Sequence, residues 1–291
     1  VKPRIPCLLV ASSLACGLTA LAEEPAFRKV SDLVFAEVDG RELLLDLYLP
    51  LNLAQPPLIV YVHGGAWRGG SKDSMPLTGL LDEGYAIASV DYRLTPEARF
   101  PAQVHDIKAA IRFLRGNQER HPYDARRVAV AGSSAGGHLA ALVGVTNGTA
   151  ELEGSVGAYL DQSSDVQAIV SYFGASNLLT ILQQSTPHGL GVRIPALQLL
   201  LGGQPEQERE LAMLASPVFH VDKSDPPLLL LHGDQDPQMP INQSHELQGK
   251  YKSLGLPVGL HVLHGAAHGG KAFYDQPQTT AVSSFLASHG I

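Results

Sequence analysis

Residues 128–136, Val-Ala-Val-Ala-Gly-Ser-Ser-Ala-Gly, constrain the fold of this chain more than any other stretch. A short apolar run ends at Gly132, and Ala135 to Val145 continues as the small, apolar sequence a buried helix needs. A strand that turns straight into a helix must make a tight, strained turn. Ser134 sits at its crest with its hydroxyl projecting, and the glycines two positions to either side let neighbouring chain pass without a Cβ in the way. A G-x-S-x-G pentapeptide alone is a weak pattern. Between a strand and a small-residue helix it marks Ser134 as a candidate nucleophile.

The rest of the chain repeats the strand-then-helix theme. Val34 to Val38 and Leu43 to Tyr48 flank Asp39-Gly40, a two-residue hairpin turn. Leu58 to Val62, Tyr85 to Val90, Arg127 to Ala131, Val166 to Phe173, Pro227 to Leu231 and Val258 to Leu263 are further short strands. Val104, Ile107, Ile111 and Leu114 share one face of a helix. Near-continuous apolar strands alternating with helices predict an α/β fold, with a mostly parallel central sheet covered on both faces. Ligands bind such sheets at the carboxyl ends of the strands, where His63, Asp91, Ser134, Asp236 and His268 fall. Leu178 to Ser216, rich in Leu, Gln and Gly, breaks the alternation and is expected to form a small helical cap.

With 45% apolar and 17% charged residues, the 291-residue chain can bury a large core. No internal repeat or linker divides it. Its formal charge of −7, with no clustered Lys/Arg, argues against nucleic acid as a partner. The first 22 residues differ: Lys2 and Arg4 precede the acid-free apolar run Ile5 to Ala22, and Ala20-Leu21-Ala22 fits a cleavage pattern. They are expected to be a signal peptide, residues 23–291 the catalytic domain, and the protein exported, periplasmic or secreted. The run is short for a membrane span and no stable anchor is expected. Cys7 and Cys16 both lie inside it, so the processed chain would hold together without disulfides. Loss of Lys2 and Arg4 would take the formal charge from −7 to −9.

A serine hydroxyl needs a base beside it and hydrogen-bond donors aimed at the developing oxyanion. Among twelve histidines, His268 fits by chain order and by the small residues of Gly265 to Gly270 that free it to turn inward. His264, directly at the end of its strand, is the rival. An acid belongs on the loop after the preceding strand, which offers Asp234 and Asp236. The oxyanion donors expected are Ala135, which follows the serine, with Gly65 and Ala66 from the glycine-bearing loop after Leu58 to Val62. In that loop His63 is expected to be structural and Trp67 to wall the substrate pocket. Nothing in the spacing implies a metal or organic cofactor.

Taken together, His63-Gly64-Gly65-Ala66-Trp67, Asp91-Tyr92-Arg93-Leu94, Gly132 to Gly137, His232-Gly233-Asp234-Gln235-Asp236 and Gly265 to Gly269 occur in the order seen in α/β-hydrolase serine carboxylesterases. The set resembles the hormone-sensitive-lipase-like esterases and is more similar to the bacterial branch related to feruloyl and acetylxylan esterases. The resemblance runs from about Val34 to the C-terminus. It implies the α/β-hydrolase fold, Ser134, Asp236 and His268 as a triad, and Gly65, Ala66 and Ala135 as oxyanion donors. Two departures are Ala66, where the lipase-like group usually has a third glycine, and Met239, where a valine commonly precedes the proline. The expected activity is hydrolysis of short-acyl esters, small or linked to plant polysaccharide. The alternatives are a serine peptidase or arylformamidase on the same scaffold, and a non-catalytic binding protein.

Overall fold

The computed structural model describes Val1 and residues 27–291. Residues 2–22 of the expected signal segment lie outside the described residues. The sheet contains β1 (Phe27–Val38), β2 (Arg41–Pro50), β3 (Pro57–Val62), β4 (Ala86–Val90), β5 (Asp124–Ser133), β6 (Ala168–Tyr172), β7 (Leu228–Gly233) and β8 (Val258–Leu263), in the order β1-β2-β4-β3-β5-β6-β7-β8. From β4 through β8 neighbouring strands are parallel, whereas β1 and β2 are antiparallel additions. The hairpin turns where expected, with positive φ at both Asp39 and Gly40, as a two-residue turn matched to strand twist requires.

The helices in chain order are α1 (Thr78–Asp82), α2 (Ala102–Gly116), α3 (Ala135–Gly144), α4 (Ala150–Glu153), α5 (Ile181–Gln184), α6 (Pro187–Leu201), α7 (Arg209–Leu214), α8 (Asn242–Ser253) and α9 (Gln276–Ser288). Two apolar cores lie on opposite faces of the sheet. One joins Val60, Val128 and Leu230 to α2, α3 and α8. The other joins Ile59, Val170 and Leu229 to α1 and α9. Alternate strand residues therefore feed opposite cores, and both faces are buried, as the apolar runs predict. The expected α2 face, Val104, Ile107, Ile111 and Leu114, is fully buried. Each such side chain contributes about 1.5–3 kcal/mol.

The segment from Leu178 to Ser216 folds as α5, α6 and α7. Its two ends meet where the Leu178 amide donates to Ser216 Oγ at 2.9 Å. Thr186 Oγ1 donates to the Pro237 carbonyl, and Phe100 N donates to Leu200 O at 3.0 Å. These bonds fasten the helical excursion to the loop after β7 and to the segment before α2.

Candidate active site

Ser134 lies between β5 and α3 with φ 56° and ψ −118°, a strained backbone for a residue with a Cβ. The turn is held by the Ser134 amide, which donates to Tyr172 O at 2.9 Å. Its glycines are there for space. A Cβ on Gly136 would stand 2.0 Å from Val62 O, and one on Gly132 would stand 2.2 Å from Gly136 O.

The structure brings Ser134, His268 and Asp236 together from three separate loops. His268 Nε2 is 2.8 Å from Ser134 Oγ, and His268 Nδ1 is 2.6 Å from Asp236 Oδ2. A carboxylate only accepts, so Nδ1 carries the proton and Nε2 is the acceptor for the serine hydroxyl. Asp236 Oδ1 accepts the amides of Gln238 and Met239, each at 2.8 Å. Burial acts to raise the Asp236 carboxyl, but hydrogen bonds from His232, His268 and the Met239 amide outweigh it and hold the group well below the usual carboxylate range. The loops after β7 and β8 touch because Gly233 has no Cβ, which would meet Ala266 O at 2.2 Å.

The rival residues form a different pair. His264 Nδ1 donates to Asp234 Oδ2 at 2.8 Å, and Asp234 Oδ1 accepts the Gly265 amide at 2.7 Å. This exposed pair braces the turn after β8 and is not hydrogen-bonded to Ser134.

The loop after β3 has three successive residues with positive φ, Gly65, Ala66 and Trp67. It runs close to the serine: a Cβ on Gly64 would lie 3.3 Å from Ser134 Cβ. Among the described residues, the N–H groups of Gly65, Ala66 and Ala135 have no acceptor. His63 Nδ1 donates to Gly64 O at 2.7 Å and the ring stacks on Tyr92 at 4.4 Å. Tyr92 in turn donates to His63 O. Burial pushes the His63 ring below its ordinary pKa, which suits a neutral structural brace.

Trp67 corrects an expectation. It is fully buried in the core and does not wall an open pocket. Its Nε1 donates to His138 Nδ1 at 3.1 Å, and His138 Nε2 donates to Ala215 O at 2.6 Å. The bulk and single donor of an indole here anchor the loop to α3. Burial lowers the His138 ring to about 4, so it stays neutral and can accept from the indole.

Several contributors were not read from the sequence. Phe173, at the end of β6, has φ 41° and sets its edge against the His268 ring, with centroids 4.8 Å apart. Fully buried His232 lies behind Asp236, its Nε2 3.5 Å from Oδ2. Arg193 of α6, also buried, donates weakly to Gln238 O at 3.4 Å. Burial pushes this guanidinium down to about 10, with Asp236 opposing the shift. The signal for Phe173 is its place at the carboxyl end of a strand. Nothing local marks Arg193.

Residues 45–251 match the BD-FAE family model. The chain belongs to the BD-FAE family. This places it in the α/β-hydrolase esterase family. The BD-FAE chain is similar to Esterase LipC of Mycobacterium tuberculosis, 32% identical over 243 residues that cover 79% of this chain and 58% of LipC. It spans 58%, 59% and 48% of the length of three curated relatives, the LipC, LipQ and LipM esterases. Among solved structures it resembles a truncated form of carbohydrate esterase from gut microbiota, with a TM-score of 0.84, 30% identity, and coverage of 92% of this chain and 98% of that one. It also resembles an acetyl ester-xyloside bifunctional hydrolase from Caldicellulosiruptor lactoaceticus, with a TM-score of 0.75, 25% identity, and coverage of 89% and 96%. Among the described residues, no group of three or more His, Cys, Asp or Glu is arranged to hold a metal, and no helix is long and apolar enough to cross a membrane.

Proposed function

We propose that this chain hydrolyses short-acyl carboxylic esters through an acyl-enzyme formed on Ser134, with His268 as general base and Asp236 as its supporting acid. The observation that carries the reading is the continuous hydrogen-bonded line from Ser134 Oγ through His268 to Asp236, at 2.8 and 2.6 Å. His268 Nε2 takes the serine proton as Oγ attacks the ester carbonyl. The oxyanion that forms is met by the N–H groups of Gly65, Ala66 and Ala135, which have no other acceptor among the described residues. Asp236 keeps the imidazole in the Nδ1–H tautomer and stabilises the imidazolium. His268 then returns the proton to the leaving alcohol. Water attacks the acyl-serine by the same route, and the carboxylic acid leaves.

For the substrate, the support is the similarity to a carbohydrate esterase and to an acetyl ester-xyloside hydrolase. Acetyl and other short acyl esters of plant polysaccharide are the natural substrates proposed. The segment from Leu178 to Ser216 is proposed as the cap that bounds the acyl end, since it is fastened to the loop carrying Asp236. Export is part of the same proposal, motivated by the leader-like sequence that ends at Ala22. N-terminal sequencing of exported material should then begin at Glu23.

The test is kcat/KM across p-nitrophenyl esters from acetate to palmitate, with acetylated xylan and methyl ferulate alongside. A fluorophosphonate probe should label Ser134, and activity should be highest on short chains. A maximum at palmitate, or efficient peptide or formanilide cleavage without ester cleavage, would overturn the substrate reading. Labelling at Ser133 would overturn the nucleophile.

A further inference from the structure

We propose that His232 is a positioning residue that grips the turn carrying Asp236 and so fixes which carboxylate oxygen faces His268. The inference rests on the proposed roles of Ser134, His268 and Asp236.

His232 is the next-to-last residue of β7. Strand alternation sends Leu228 and Leu230 into the core shared with α2, α3 and α8, and Leu229 and Leu231 into the other. His232 follows Leu228 and Leu230 to the α8 side, where its ring is fully buried. Both ring nitrogens have partners. Nδ1 is 2.7 Å from Ser244 Oγ of α8, and Nε2 is 3.0 Å from Met239 O. The Met239 carbonyl can only accept, so Nε2 carries the proton and the Ser244 hydroxyl is left to donate to Nδ1. That same Nε2–H lies 3.5 Å from Asp236 Oδ2, the oxygen that receives His268 Nδ1.

The consequence is a double grip on one residue. The Met239 amide donates to Asp236 Oδ1 at 2.8 Å while its carbonyl accepts from His232. For the Asp236 carboxylate to rotate, it must release two backbone amides on Oδ1 and move Oδ2 past His232. Buried polar groups left without partners are costly, so rotation is strongly disfavoured. A histidine that merely filled core space would not need to meet both the turn and the acid. Three charged or titratable groups face Asp236: His268 from the loop after β8, His232 from β7 and Arg193 from α6. Asp234, on the same loop, is turned outward to His264.

Two substitutions separate this role from packing. In His232→Gln the side-chain amide can occupy the Nε2 end of the ring and still donate to Met239 O. In His232→Asn a polar group is kept only at the Nδ1 end, and the Met239 carbonyl loses its donor. Steady-state kinetics on p-nitrophenyl acetate, pH profiles and melting curves should be measured for both, with Ser134→Ala as control. His232→Asn should lower kcat by about 10–100-fold, by analogy with the residues that orient metal-ligating side chains, and change KM by less than about threefold. It should also move the acid-limb midpoint of kcat/KM upward, since an Asp236 charge without the His232 N–H dipole 3.5 Å away favours the imidazolium more strongly. His232→Gln should recover most of kcat and restore the midpoint. If Asn should unfold the protein, Ser244→Ala serves instead, with a smaller loss in kcat and a midpoint displaced in the same direction. A parent-like kcat and midpoint in His232→Asn would overturn the proposal. Equal losses in Asn and Gln with an unmoved midpoint would overturn it too, as pure packing. Substantial turnover by Ser134→Ala would instead overturn the underlying nucleophile assignment, so the two failures are distinct.

Discussion

Two histidine–aspartate pairs share the same two loops and almost the same bond. His268 meets Asp236 at 2.6 Å, and His264 meets Asp234 at 2.8 Å. Their surroundings differ. The side chains of the first pair are 14% and 1% exposed, those of the second 85% and 30%. Behind the first stand Ser134, two backbone amides, His232 and the edge of Phe173. Behind the second stands one amide, that of Gly265. An exposed pair is screened by water and contributes little to stability. A shielded pair is strongly coupled, and its protonation has consequences elsewhere in the site. Bond length alone therefore does not distinguish the two pairs; burial and the third partner do.

The comparison can be broken most sharply at the histidines. His268→Ala should lower kcat on an activated ester by on the order of 10⁴-fold or more, while His264→Ala should keep most of the activity. The reverse ranking in steady-state assays would exchange the two pairs. The acids should differ nearly as much. Asp236→Asn leaves the shape but no longer enforces the Nδ1–H tautomer, and a loss of roughly 10⁴-fold in kcat is expected. Asp234→Asn should change kcat by less than about threefold. Similar losses for both would mean that the outer pair organises the site.

The smallest effect is on stability against pH. The Asp236 carboxyl is depressed in the folded protein, so its stabilising contribution is complete above the ordinary carboxylate range, near pH 4. That contribution is lost as the pH falls below that range toward the folded-state value. Urea midpoints measured from pH 7 down to pH 3 should therefore drop more steeply for the parent than for Asp236→Asn. Asp234 is depressed as well, through its bond to His264, but solvent screening should leave Asp234→Asn close to the parent curve. A flat difference between parent and Asp236→Asn across this range would contradict the depressed carboxyl.

Much of this arrangement was legible in the sequence because the signals are local. Apolar runs marked the strand centres, Asp39-Gly40 marked the hairpin, and the glycines around Ser134 marked a turn where a Cβ does not fit. The ends of elements were less legible. β1 begins at Phe27, well before the expected Val34, because Arg28, Lys29, Ser31 and Asp32 interrupt the apolar pattern and the pairing is irregular between Val30 and Leu33. At the site, chain order brought out Ser134 and His268, whereas the choice between Asp234 and Asp236 leaned on the resemblance. Both aspartates occupy one turn, and only tertiary packing decides which is shielded. Trp67 misled because an aromatic residue beside a glycine loop has the right chemistry for a pocket wall. The direction in which it points depends on His138, far along the chain. His232 stood inside a quoted motif but its contacts were silent, as was Arg193, for the same reason: their partners are Ser244, Met239 and Gln238, and no periodicity encodes those meetings.

The line from Trp67 through His138 to the Ala215 carbonyl bears on how such a protein can be redesigned. It joins the glycine loop after β3 to the far end of the α5–α7 excursion through one buried imidazole. A transplanted excursion of different length would have to present a carbonyl at the same place. Otherwise the imidazole loses its acceptor and the tryptophan its fixed seat. The excursion and the loop are thus not modular parts. A swap of the excursion must carry its own replacement for Ala215, or be selected together with changes at positions 67 and 138.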